Sequence, residues 1–327
     1  MKNEEKTNRT QPLKVLSKQK AVVAIGLMLT VMIFSDALSI TSFYTSGNIL
    51  NIFRASSTNL IIAFGVTLAV ICRGCDLSVG SVMSLAGILS ILMINIGLSI
   101  PLAILLAVLA GSIIGCINGF LIVKQKTEAF IITLGMGMFV HGISLQLTNG
   151  NPVAPQNMDF IRISNGTTFG IPNIILFMIL IGVFTFWLLR FTTFGRNCYA
   201  LGGDYEVAEH SGINVTSTKW IAFVITGTYA AIAGVLLASR MNTGSAIVGV
   251  EIPLLVNCGV VIGGTSFAGG VGGVGRSFIG IMVMQLLSNV MNALRIDNFV
   301  QQAVLGFVIV FIIALDCYVI KRKKESV

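Results

Sequence analysis

The chain has 327 residues, 55% of them hydrophobic and 10% charged, and a mean hydropathy of +0.91. Soluble domains carry about 25% charged residues, so this chain cannot clothe a water-facing surface and its solvent is largely lipid. The net charge of +8 does not point to nucleic acid: the basic residues sit at the ends and in short loops, beside no polar surface that could track a phosphate backbone.

Residues 1–20 form a basic tail, and the apolar stretch 21–38 follows it. That stretch approaches the ~20 residues a bilayer requires and is too long for the apolar region of a cleaved signal, so it is predicted to be a retained first span. Charge-free apolar segments recur at 55–72, 79–97, 101–123, 129–147, 173–190, 219–239, 252–264, 277–294 and 299–319. The pattern predicts an all-α integral membrane fold of about ten transmembrane helices. Residues 21–320 form one membrane domain, and 321–327 a basic C-terminal tail.

Orientation follows from the Lys and Arg count of the loops. With the N-terminus inside, ten crossings place 17 of the 21 basic residues on the cytoplasmic side. Only Arg54, Arg162, Arg240 and Arg295 fall outside. Both termini are therefore predicted to be cytoplasmic. Segment 252–264 is short for a span, but a turn back there would move Arg276 and the basic tail outside, so parity favours a crossing, short or broken. AVICRGCDLSVGS (69–81) and VVIGGTSFAGGVG (260–272) each end an apolar run in a small-residue turn, a faint echo of the internal repeats transporters use.

Several kinds of chemistry are missing. Asp36 and Asp316 are the only acidic residues in the predicted spans, and His141 the only other titratable candidate. A proton relay needs more intramembrane carboxylates than that. No Walker-type phosphate loop occurs. GVGGVG (270–275), followed by Asp297, matches a dinucleotide fingerprint but lies between apolar spans rather than in a soluble βαβ unit. Its glycines suit a tight turn and close helix approach. The six cysteines, Cys72 and Cys75 among them, lie in or beside apolar segments and read as filler, not as a disulfide or metal framework. No catalytic cluster, metal site or cofactor is expected.

The polar residues that remain fall into two groups. Asp76 and Ser78 are placed to cap the third span. Asn118, and Gln285, Asn289 and Asn292 at roughly one-turn intervals, either bond neighbouring helices or line a path for a hydroxyl-rich solute. The longest cytoplasmic connection, 191–218, contains Glu206-Val207-Ala208-Glu209-His210-Ser211-Gly212. On a helix Ala208 and Gly212 would share a face, suited to close contact with another protein. The alternative is a solvated connector with a glycine helix stop.

That segment resembles the EAA motif of ABC-importer permeases. Glu206, Ala208 and Gly212 match it and Val207 departs. The resemblance to the ribose-type (simple-sugar) branch runs nearly end to end, through DLSVGSVMSLAG (76–87), FGRNCYALGGDYEVAEHSGINV (194–215), VVIGGTSFAGGVGGV (260–274) and QQAVLGFVIV (301–310). It departs at Arg73-Gly74-Cys75-Asp76, where members usually read Gly-Gly-Ile-Asp, and at Val290-Met291-Asn292-Ala293.

The resemblance implies a multi-pass permease subunit of a bacterial inner-membrane importer for a monosaccharide. Its coupling residues would be Glu206, Ala208, Glu209 and Gly212, docking on a separate cytoplasmic ATPase that carries ATP and magnesium. A second copy of the chain and an extracytoplasmic sugar-binding protein would complete the machine. The chain itself would catalyse no reaction. A sister branch carries branched-chain amino acids; the DLSVGS and GGTSFAGG blocks favour sugars. The rival reading is a self-contained secondary carrier or facilitator.

Overall fold

The computed structural model describes Gly26 and residues 45–297, 299–308 and 310. The predicted tails, the predicted span 21–38 apart from Gly26, and nearly all of the last predicted span beyond 308 lie outside the described residues.

The helices are α1 (Ser46–Ile71), α2 (Val79–Asn95), α3 (Ile100–Lys124), α4 (Ala129–Thr148), α5 (Asp159–Asn165), α6 (Asn173–Phe191), α7 (Thr193–Gly203), α8 (Tyr205–His210), α9 (Val215–Met241), α10 (Ile252–Ile262), α11 (Val274–Ala293) and α12 (Phe299–Val308). Among them α1, α3, α4, α6, α9 and α11 are long and apolar enough to cross a membrane; α2, α10 and α12 are apolar but shorter. The described residues thus form an almost wholly helical fold suited to a membrane.

α1 is the axis of the bundle. Its apolar window is 83% buried, against 22% for α4, because α6, α9, α10 and α11 pack around it. α3, α4 and α6 present large apolar side chains outward, among them Leu105, Ile113, Met138, Phe139, Leu180 and Val183. Those faces need no protein partner when lipid is the solvent.

α3 and α9 meet along a glycine seam. Gly111, Gly115 and Gly119 recur every fourth residue and so share one helix face. A methyl group at Gly115 would fall on the Phe223 carbonyl, and one at Gly227 on the Gly111 carbonyl. Small residues let backbones approach this closely where lipid removes the hydrophobic drive between helices.

Two stretches hold more structure than the apolar pattern spells out, and 252–264 is short and broken as read. The stretch 148–172 holds α5 and a minimal antiparallel hairpin, β1 (Thr167–Thr168) and β2 (Ile171–Pro172). It is tied to α9 by Ser164, whose N–H donates to Ser239 Oγ (3.1 Å) and whose hydroxyl donates to the Leu236 carbonyl (2.6 Å). Segment 252–264 is a broken element: a single 3-10 turn, Ile247–Gly249, precedes α10. An eleven-residue α10 rises only about 16 Å, roughly half of a hydrocarbon core.

Candidate functional site

The polar connection between α6 and α9 is built from capped helices. Thr192 Oγ1 accepts from the Gly195 N–H (3.2 Å) at the start of α7. Asp204 Oδ1 accepts from the Val207 N–H (3.1 Å) at the start of α8, and Asn214 Oδ1 from the Ser217 N–H (2.9 Å) at the start of α9. These residue types accept the orphan N–H groups of a first helical turn.

α8 presents Tyr205, Glu206, Val207, Glu209 and His210 to the outside, while Ala208 turns inward and is 3% exposed. Ala208 packs in a small cluster with Leu68, Ile71, Cys72, Leu201 and Val215. The expected shared face of Ala208 and Gly212 is therefore not formed. α8 ends at His210, and Gly212 follows it at φ +80. The Ile213 N–H bonds back to the Ala208 carbonyl (3.1 Å), and the Gly212 N–H to the Glu209 carbonyl (3.0 Å). Gly212 is the left-handed residue of a helix stop. The physical reason is that six residues complete α8 before the glycine arrives.

The connection 72–78 is the densest polar feature near this surface. Asp76 is 1% exposed, and its Oδ1 accepts both the Ser78 N–H (2.8 Å) and the Ser78 hydroxyl (2.6 Å). Asp76 thus organises the residue before α2, and Ser78 makes no side-chain cap of its own. Asn118 Nδ2, from α3, donates to Ser78 Oγ (2.9 Å). Thr133 Oγ1, from α4, accepts the Leu77 N–H (3.0 Å) and donates to the Cys75 carbonyl (3.1 Å). Asn257 Nδ2, from α10, donates to the Asp76 carbonyl (2.9 Å), and its Oδ1 accepts from Cys75 Sγ (3.3 Å). Seven residues thereby gather three helices.

Asp76 Oδ2 and Asn118 Oδ1 are buried with no hydrogen-bond partner. Burial pushes the Asp76 carboxyl up to about 6, against the opposing pull of the two Ser78 bonds.

The polar side chains singled out as path candidates lie in different settings. Asn118 is fully buried in the Asp76 cluster. Asn289 forms a reciprocal amide pair with Asn48 (3.2 and 3.1 Å), joining α11 to the start of α1. Asn292 Oδ1 accepts from Gln301 Nε2 (2.9 Å) in α12. Gln285 is half-buried on α11. A groove of about 580 Å3 between α1, α6 and α11 is lined by apolar groups such as Phe53, Phe64, Met178, Phe186 and Phe278. It offers nothing to a sugar hydroxyl. Among the described residues no group of three or more His, Cys, Asp and Glu side chains gathers as a metal site.

A bundle of long apolar helices built around one enclosed helix, with a capped two-helix polar connection, defines a polytopic membrane protein. A family model described as the permease component of branched-chain amino acid transport systems matches residues 48–313. The chain belongs to that permease family. It is 35% identical to the ribose import permease protein of Haemophilus influenzae over 99% of both chains. It is 37% identical to that of Bacillus subtilis over 94% of both. It is also 33% identical to the L-arabinose transport system permease protein of Escherichia coli over 91% of both. No solved structure matches the chain. Such permeases are transport subunits of ABC importers and not enzymes, and the chain is a multi-pass protein of the bacterial inner membrane.

Proposed function

We propose that this chain is the membrane-spanning subunit of an ATP-driven importer for a monosaccharide, of the size and polarity of ribose, arabinose or allose. The observation that carries the reading is full-length similarity to permeases named for those three sugars. About ten spans with both termini cytoplasmic agree with the loop charges, Arg276 and the basic tail included. The broken element 247–262 then serves as one crossing.

Residues 206–212 dock on the ATPase subunit, which supplies ATP and magnesium. Glu206, Val207 and Glu209 form the contact, Ala208 anchors α8 to the bundle, and Gly212 ends it. Two copies form the pore: the groove within one copy is apolar, whereas Gln285, Asn289 and Asn292 lie along α11 outside it. A binding protein delivers the sugar from outside.

The test is co-purification of a co-expressed ATPase subunit with wild type and with the double substitution Glu206→Lys, Val207→Asp. Both side chains are exposed, so folding is unaffected. Wild type retains the ATPase and the variant loses it. Solute accumulation by vesicles containing this chain alone would establish a self-contained carrier instead.

A further inference from the structure

Arg73 stands immediately after α1 with a left-handed backbone, φ +55. That conformation costs a residue with a Cβ about 1–2 kcal/mol. Non-glycine residues keep such angles where surrounding contacts hold them, often at sites of mechanism. The contacts here belong to one helix end. Arg73 Nε donates to the Gly202 carbonyl (3.0 Å) and Nη2 to the Gly203 carbonyl (2.9 Å). These are the last carbonyls of α7, where the helix dipole favours a cation and charge-assisted bonds are stronger than neutral ones.

The position of those carbonyls matters. Asp204 follows directly and caps α8 with its carboxylate. The guanidinium therefore grips the joint from which α8 projects. Backbone approach reinforces the grip: a methyl group at Gly202 would fall on the Ile71 carbonyl, which already accepts the Gly270 N–H (2.9 Å). On the other side, Arg73 opens the connection whose Cys75 and Leu77 are bonded to α4, Asp76 to α10 and Ser78 to α3.

We propose that Arg73 is a positioning residue for transport, the strut that carries displacement of α8 into the 72–78 connection and so into α2, α3, α4 and α10. The strut rests on the reading of α8 as the ATPase contact. The experiment reads coupling directly. The complete transporter, permease with its ATPase and binding protein, is reconstituted with wild type, Arg73→Gly and Arg73→Lys. Glycine suits φ +55, so the variant folds.

Four quantities are measured: ATPase retained, thermal stability, ATP hydrolysed, and uptake of D-ribose, L-arabinose and D-allose tested singly. Arg73→Gly retains the ATPase and its stability, while sugar moved per ATP falls about tenfold, as expected for loss of two charge-assisted bonds partly exposed to water. Arg73→Lys recovers part of that ratio, because an ammonium reaches one carbonyl. A ratio within twofold of wild type in Arg73→Gly overturns the strut, and so does loss of the ATPase in that variant alone. Failure of the wild-type chain to retain an ATPase or to take up any of the three sugars overturns the permease reading instead.

Discussion

The middle of the bundle and the end that carries α7 and α8 are held together by opposite means. In the α3–α9 seam the backbones touch through glycine, with Gly111, Gly115 and Gly227 against carbonyls of the facing helix. In the 72–78 connection α3, α4 and α10 are reached through side chains: Asn118, Thr133 and Asn257 converge on seven residues. A glycine contact has one geometry and no slack. A set of hydrogen bonds can exchange partners with water as it moves. Rigidity thus lies in the helix seam and adjustability beside α7 and α8, the proposed ATPase contact.

The largest expected effect is on the rigid layer. Gly115→Leu drives a side chain into the Phe223 carbonyl, which cannot withdraw without breaking α9. A loss above about 4 kcal/mol is expected, read as the disappearance of monodisperse protein after detergent extraction. A variant extracted in normal yield would show that the seam has slack after all.

Next comes the polar layer. An acid whose pKa is raised in the fold contributes stability below its ordinary value, and that contribution is lost as pH rises through the folded pKa. For Asp76 the window runs from 3.8 to about 6. Asp76→Asn removes the titration. Relative to wild type, its melting temperature should gain as pH rises from about 3 to 8, by a stability on the order of 3 kcal/mol, with about half of that gain already present at pH 5. Equal pH dependence in the two proteins would place the proton elsewhere. The smallest effect belongs to the loop. Gly212→Ala meets no atom but must keep φ +80, costing about 1 kcal/mol and only slightly weakening retention of the ATPase in pull-downs.

Much of the bundle was legible because apolar runs without charge have few places to go. Segments 101–123 and 129–147 correspond to α3 and α4 within one or two residues. The α9 run was read as starting at 219, yet the helix begins at Val215, capped by Asn214, because polar residues continue a helix beyond its lipid-facing part. The motif at 206–212 was visible, but its geometry was not. Spacing left open one helix through Gly212 or a glycine helix stop; the stop is what forms, and Ala208 turns inward. The polar residues were harder still. Nothing local announces that Asn289 pairs with Asn48, 241 positions away, or that Arg73 reaches Gly202. Such pairings exist only once the bundle closes.

The ribosome delivers α1 to the membrane before α6, α9 and α11 have been made. A helix destined for the centre must therefore first survive alone in lipid. Ser57 and Thr67 are equipped for it, since their hydroxyls donate to carbonyls four residues back in the same helix, Phe53 (2.6 Å) and Ala63 (2.6 Å). Their polar groups are satisfied before any neighbour arrives. Only later does Ser277, from α11, come within 2.6 Å of Thr67. The hydroxyl that shelters the newborn helix becomes a latch for one of the last to be synthesised.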